Sequence, residues 1–109
     1  MNSKDFNSAI ARQFGKCYTL LNIKKREYNH TEDRFDTFKE AALLSSKSAE
    51  ESAASYMTKH IMSIIDMCKR PWKYSDEMWD EKITDAINYL LIIRAMIEER
   101  SEVRRKRKL

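Results

Sequence analysis

Two stripes of polar side chains stand at helical spacing inside otherwise apolar segments. In KHIMSIID, Lys59, Ser63 and Asp66 recur at i, i+4 and i+7, which puts them on one face of a helix. In EKITDAINYLLII, Glu81, Asp85, Asn88 and Tyr89 do the same, with Lys82 one turn before Asp85. An uncompensated acid in such an apolar setting is strongly unfavourable, so Asp85 and Asn88 face water or have partners. If the two helices are antiparallel neighbours, their stripes meet across a polar pocket. Arg34, Lys59 and His60 would then contact phosphates, Tyr56 or Phe35 would stack on a base, and Asp66, Asp85 and Asn88 would orient cations or read base edges. The structural alternative is an ion pair of Lys59 with Asp66 or Asp85, which orients helices without doing chemistry.

A second constellation is NHTEDRFDTF. It joins a chain break and a helix N-terminus, both sources of free amide donors, to Arg34 for bidentate anion recognition and to Phe35 and Phe38 for stacking. That mixture suits an anionic, aromatic ligand such as a nucleotide. Equally, Phe35 and Phe38 at i, i+3 suit a core, Arg34 beside Asp33 suits a surface ion pair, and His30 suits a loop. No Ser-His-Asp spacing, glycine-rich phosphate loop, CxxC or HExxH is present, which removes the enzyme classes those motifs announce. The remaining enzyme chemistry is carboxylates on adjacent helices holding magnesium against a pyrophosphate. Glu50, Glu51, Asp66, Glu81 and Asp85 are the acids placed for it.

The elements that must position these residues are helices. The 109 residues include one Gly and one Pro, and residues of high helix propensity dominate. An all-α, four-helix bundle-like subunit with a long C-terminal helix follows. Phe6, Ile10, Phe14, Cys17, Leu21 and Tyr28 recur at helical spacing and predict a first helix over 4–28. Thr31 can cap a short second helix carrying Phe35, Phe38 and Ala42 and ending near Ser45. Ser48-Ala-Glu-Glu51 is a capping box that opens a third helix, with Ala53, Tyr56, Met57, Ile61, Ile64, Ile65 and Cys68 as its apolar positions, ending near Lys69 before Pro71. Ser75, followed by Asp76 and Glu77, caps a fourth helix running to about Val103.

The formal charge is +4, yet five consecutive basic residues at 104–108 account for more than all of it, leaving 16 basic against 17 acidic residues elsewhere. The expectation is a single helical domain over 1–103 and a basic tail over 104–109, the tail being a solvated helix end and the only segment suited to nucleic acid. Cys17 and Cys68 are too few for a disulfide framework and read as reduced core residues of a cytoplasmic protein; no apolar run approaches membrane-spanning length. Tyr89-Leu90-Leu91-Ile92-Ile93 is apolar around the whole helix circumference, which predicts a homo-oligomer, a dimer or larger.

DEKITDAINYLLII resembles the last motif of the MazG-like all-α nucleoside triphosphate pyrophosphohydrolases, in which an ExxD carboxylate helix leads into an apolar stretch. DRFDTFKEAA, MTKHIMSIIDM and MWDEKITDAINYLLI together resemble small bacteriophage proteins related to that superfamily, over residues 29–97. The resemblance implies a helical bundle, oligomerisation through long helices and a nucleotide pocket between helices. Asp85 matches the ExxD aspartate, but Lys82 stands where the pattern has Glu, and the earlier EExxE-like motif is replaced by Lys59, His60 and Asp66. A lysine opposes a metal cluster and favours direct phosphate contact. The leading expectation is therefore a cofactor-free nucleotide-binding protein that sequesters a nucleotide or a cyclic oligonucleotide signal, as a counter-defence sponge would. The site expected for it comprises Arg34, Phe35, Tyr56, Lys59, His60, Asp66, Lys82, Asp85, Asn88 and Tyr89. The alternatives are a magnesium-dependent pyrophosphohydrolase using Asp66, Glu81 and Asp85, and a helical protein that inhibits a host protein.

Overall fold

Four α-helices organise the chain: α1 at Ser3–Tyr28, α2 at Asp36–Ser45, α3 at Ala49–Met67 and α4 at Asp76–Arg107, with a single 3-10 turn at Pro71–Lys73. The computed structural model describes residues 1–28 and 32–108, with side chains described outside 24–28. Asn29, His30 and Thr31 lie outside the described residues. The described chain is all-α, as composition requires, and none of its helices is long and apolar enough to cross a membrane.

Local chemistry sets most helix ends. Ser48 accepts from the Glu51 amide at 3.1 Å while Glu51 accepts back from the Ser48 amide at 3.4 Å, completing the capping box of α3. Ser75 accepts from the Met78 amide at 3.1 Å and starts α4. The second helix begins later than its sequence suggests. Asp33 makes the preceding turn, accepting from the Phe35 amide at 3.0 Å and from Lys39 at 2.6 Å, so helical geometry starts only at Asp36. The same helix stops where Ser46 turns left-handed, at φ 54°. At the other end of the chain α4 runs past Val103, and Arg104, Arg105, Lys106 and Arg107 form its last turn. Basic side chains suit that position because unpaired carbonyls concentrate negative charge there.

Helices α3 and α4 form an antiparallel hairpin, fixed at one end by Arg100 clamping Glu50 in bidentate fashion at 2.6 and 2.9 Å. At the other end the Trp79 indole donates to the Pro71 carbonyl at 3.2 Å and meets the Tyr74 ring edge-on. Short side chains let the helices approach: Ala42 of α2, Ser52 and Ala53 of α3, and Thr84 and Ala86 of α4 are all buried. α2 packs on α3, and α1 lies against the first turns of α4, where Gln13 donates to the Thr84 hydroxyl at 2.9 Å and Lys16 pairs with Asp80 at 2.8 Å.

The buried hydrophobic residues are Cys17, Ala42, Ala53, Met67, Ala86 and Met96. Cys68, expected in the core, is exposed, because it caps α3 at the surface end of the hairpin. Likewise Phe6, Ile10 and Phe14 share the helical periodicity of α1 but remain exposed. The chain has nothing to lay over them at that end, since α1 meets α4 around Cys17 and beyond.

Candidate ligand-binding seam

The seam between α3 and α4 is built from residues one helical turn apart on each side. On α3, Tyr56 and His60 point inward on the same stripe as buried Ala53 and Met67; on α4, Asp85 and Tyr89 face them. The Tyr56 and Tyr89 rings are stacked, 11° from parallel with centroids 6.4 Å apart. Phe38 of α2 stands edge-on to both, at 5.9 and 6.4 Å, and the His60 ring leans on Tyr89 at 5.5 Å. Tyr56 is 45% exposed, so the aromatic cluster opens to solvent along its edge.

Behind the rings the seam becomes polar. His60 Nδ1 lies 3.9 Å from an Asp85 carboxylate oxygen, within ion-pair range but too far for a hydrogen bond. Both side chains are largely buried, and Asp85 and Tyr89 each take part in a further interaction. His60 Nδ1 and Asn88 Oδ1 are buried without a hydrogen-bond partner among the described residues. Each such atom costs about 1–3 kcal/mol of desolvation. Two of them one turn apart around Asp85 and Tyr89 make this the most polar-deficient spot of the described fold.

Only part of the expected constellation comes together here. Tyr56, His60, Asp85, Asn88 and Tyr89 converge, joined by Phe38, whose i, i+3 spacing from Phe35 fitted a core role as well as a stacking one. Lys82 is half-buried one turn before Asp85. Lys59 is exposed, because the stripe that turns inward on α3 is offset from it by one residue, about 100° of helix rotation. Asp66 is 70% exposed and sits 3.6 Å from Lys69 on the same helix, so it joins neither Lys59 nor Asp85 in a pocket. Arg34 is exposed and donates to the Leu21 carbonyl at 3.0 Å, which ties the start of α2 to α1. Phe35, half-buried, occupies the N-cap of α2. The acids of the hydrolase alternative accordingly do not assemble: among the described residues no group of three His, Cys, Asp or Glu side chains stands ready for a metal ion.

Asp85 also borders a second feature. An open groove of about 770 Å3 separates α1 from α4, with Lys16, Thr19 and Ile23 on one wall and Asp80, Glu81 and Asp85 on the other. The Lys16 to Asp80 ion pair crosses it. Nothing in the spacing of α1 announced this arrangement, or the Gln13 to Thr84 bond beneath it, because neither residue type carries a motif. Elsewhere the electrostatics are structural. Hydrogen bonding from Arg100 holds the Glu50 carboxyl below its ordinary range, and Lys39 with the Phe35 amide does the same for Asp33. Comparison of the chain with family models, curated proteins and solved structures finds no match.

Proposed function

We propose that this protein binds a planar, phosphate-bearing ligand of the nucleotide class at the α3–α4 seam and holds it without turning it over. The observation that carries this reading is the pairing of two orphaned buried polar atoms, His60 Nδ1 and Asn88 Oδ1, with a stacked tyrosine pair that opens to solvent. A base edge entering beside Tyr56 supplies what the orphaned atoms lack, and its face suits the aromatic rings. Lys82, with exposed Lys59, supplies cationic groups on either side of the seam for phosphate. Holding is favoured over hydrolysis because Asp66 points to solvent and leaves Glu81 and Asp85 without a third acid among the described residues. Capture of a nucleotide-derived signal, including a cyclic oligonucleotide, is the form of activity this chemistry suits.

Isothermal calorimetry with a panel of nucleoside mono- and triphosphates, cyclic mononucleotides and cyclic dinucleotides tests the reading. The expected result is saturable binding to at least one class that is lost in Tyr89→Ala, with no pyrophosphate released from any triphosphate in magnesium. Absence of heat across the panel at high micromolar ligand refutes it, and pyrophosphate release abolished by Asp85→Asn replaces it with the hydrolase reading.

A further inference from the structure

The packing of a single chain leaves an unusual balance. Its buried hydrophobic side chains are three alanines, two methionines and a cysteine, while Phe6, Phe14, Tyr18, Leu90, Leu91 and Ile97 are each between 39% and 74% exposed. A chain of this length ordinarily buries its large aliphatic and aromatic side chains.

These exposed residues are ordered along two helices. On α1, Phe6, Ile10, Phe14 and Tyr18 recur every fourth residue, and the first three continue the face that buries Cys17 against α4. On α4, Ile83, Ile87, Leu90 and Ile97 stand at i, i+4, i+7 and i+14, on the side away from buried Thr84, Asn88 and Met96. The two stripes match in length, about 18 Å from Phe6 to Tyr18 and about 21 Å from Ile83 to Ile97. They also match in charge: α1 carries six basic and two acidic residues, whereas α4 through Val103 carries eight acidic and three basic.

We infer that the occupant of these faces is a second copy of the chain, in a two-fold dimer that lays the α1 stripe of each protomer along the outer α4 stripe of its partner. Both stripes are then covered, each by the other, and the contact occurs twice by symmetry. Together they expose roughly 600 Å2 of apolar side-chain surface per chain, or about 1,200 Å2 for the pair, which reaches the range of stable, specific interfaces. The interface is independent of the ligand seam, whose residues face the interior of the α3–α4 hairpin.

Sedimentation velocity and light scattering on the full chain at about 20 µM test the proposal. The expected mass is twice that of one chain, falling to a single chain's in Phe14→Glu and in Leu90→Glu while helicity by circular dichroism is retained. A monomeric wild type, or a dimer that both variants leave intact, overturns it. If a charged variant unfolds, disulfide trapping decides: in a Cys68→Ser background, chains carrying Phe14→Cys are mixed with chains carrying Leu90→Cys. A cross-linked heterodimer supports the exchange of stripes, and failure to cross-link in a sample that sediments as a dimer overturns it.

Discussion

Replacing Asn88 by leucine should stabilise this protein while abolishing its binding. Asn88 is 7% exposed, and its Oδ1 has no hydrogen-bond partner among the described residues. Leucine has the same branched four-atom frame, so the substitution removes an unsatisfied acceptor without opening a cavity. Relief of that desolvation is worth about 1–3 kcal/mol. With a urea dependence of about 1–3 kcal/mol per molar for a chain of this size, the unfolding midpoint should rise by roughly 1 M. Asn88→Asp should move the other way, since it adds a buried charge one turn from Asp85. Urea denaturation followed by circular dichroism reads both. A midpoint for Asn88→Leu that falls by about the same amount would mean that the amide is a satisfied part of the fold, and the case for a ligand at the seam would lose its main support.

Three further expectations follow from local structure. Gly15 sits inside α1 with nothing within 4 Å of where a Cβ would stand, so Gly15→Ala should raise stability by about 1 kcal/mol; a loss would reveal a close backbone approach at that point. Ser46 holds a left-handed φ of 54° at the end of α2, and Ser46→Gly should stabilise by about 1 kcal/mol in the same assay, whereas no change would mean the turn relaxes freely. Glu50 and Asp33 both have carboxyl groups held below their ordinary range in the fold, so the unfolded chain takes up protons first as pH falls. Stability is therefore fully present above the usual carboxylate range and should decline below it, with a shallower decline in Glu50→Gln; an unchanged slope would show that the Arg100 clamp adds nothing.

What was legible in the sequence was what depends on neighbours along the chain. Ser48 with Glu51, and Ser75 ahead of two acids, announce α3 and α4 because caps are made within one turn. The start of α2 was not legible. Asp33 and Lys39 close a turn there that competes with any cap further back. The site divides in the same way. Asp85, Asn88 and Tyr89 stand out as polar or amphipathic groups in an apolar run, and they do sit at the seam. On α3 the period admitted two adjacent stripes, and the charged one, Lys59 with Asp66, attracted attention although the face containing Tyr56 and His60 turns inward. Burial decides between such stripes, since exposed Lys59 and Asp66 keep their hydration while an inward His60 gains an aromatic partner. Periodicity likewise identified Phe6, Ile10 and Phe14 as one face of α1 but could not say that the chain itself leaves that face uncovered.

The seam can be watched atom by atom with nitrogen-15 NMR of the Asn88 side-chain amide and the His60 ring during titration with ATP and with a cyclic dinucleotide. Capture at the seam predicts that one of these ligands shifts both sets of resonances along a single saturating curve. Spectra in which Asn88 and His60 stay fixed at millimolar ligand, or in which only exposed residues such as Arg104 to Lys108 move, would contradict it.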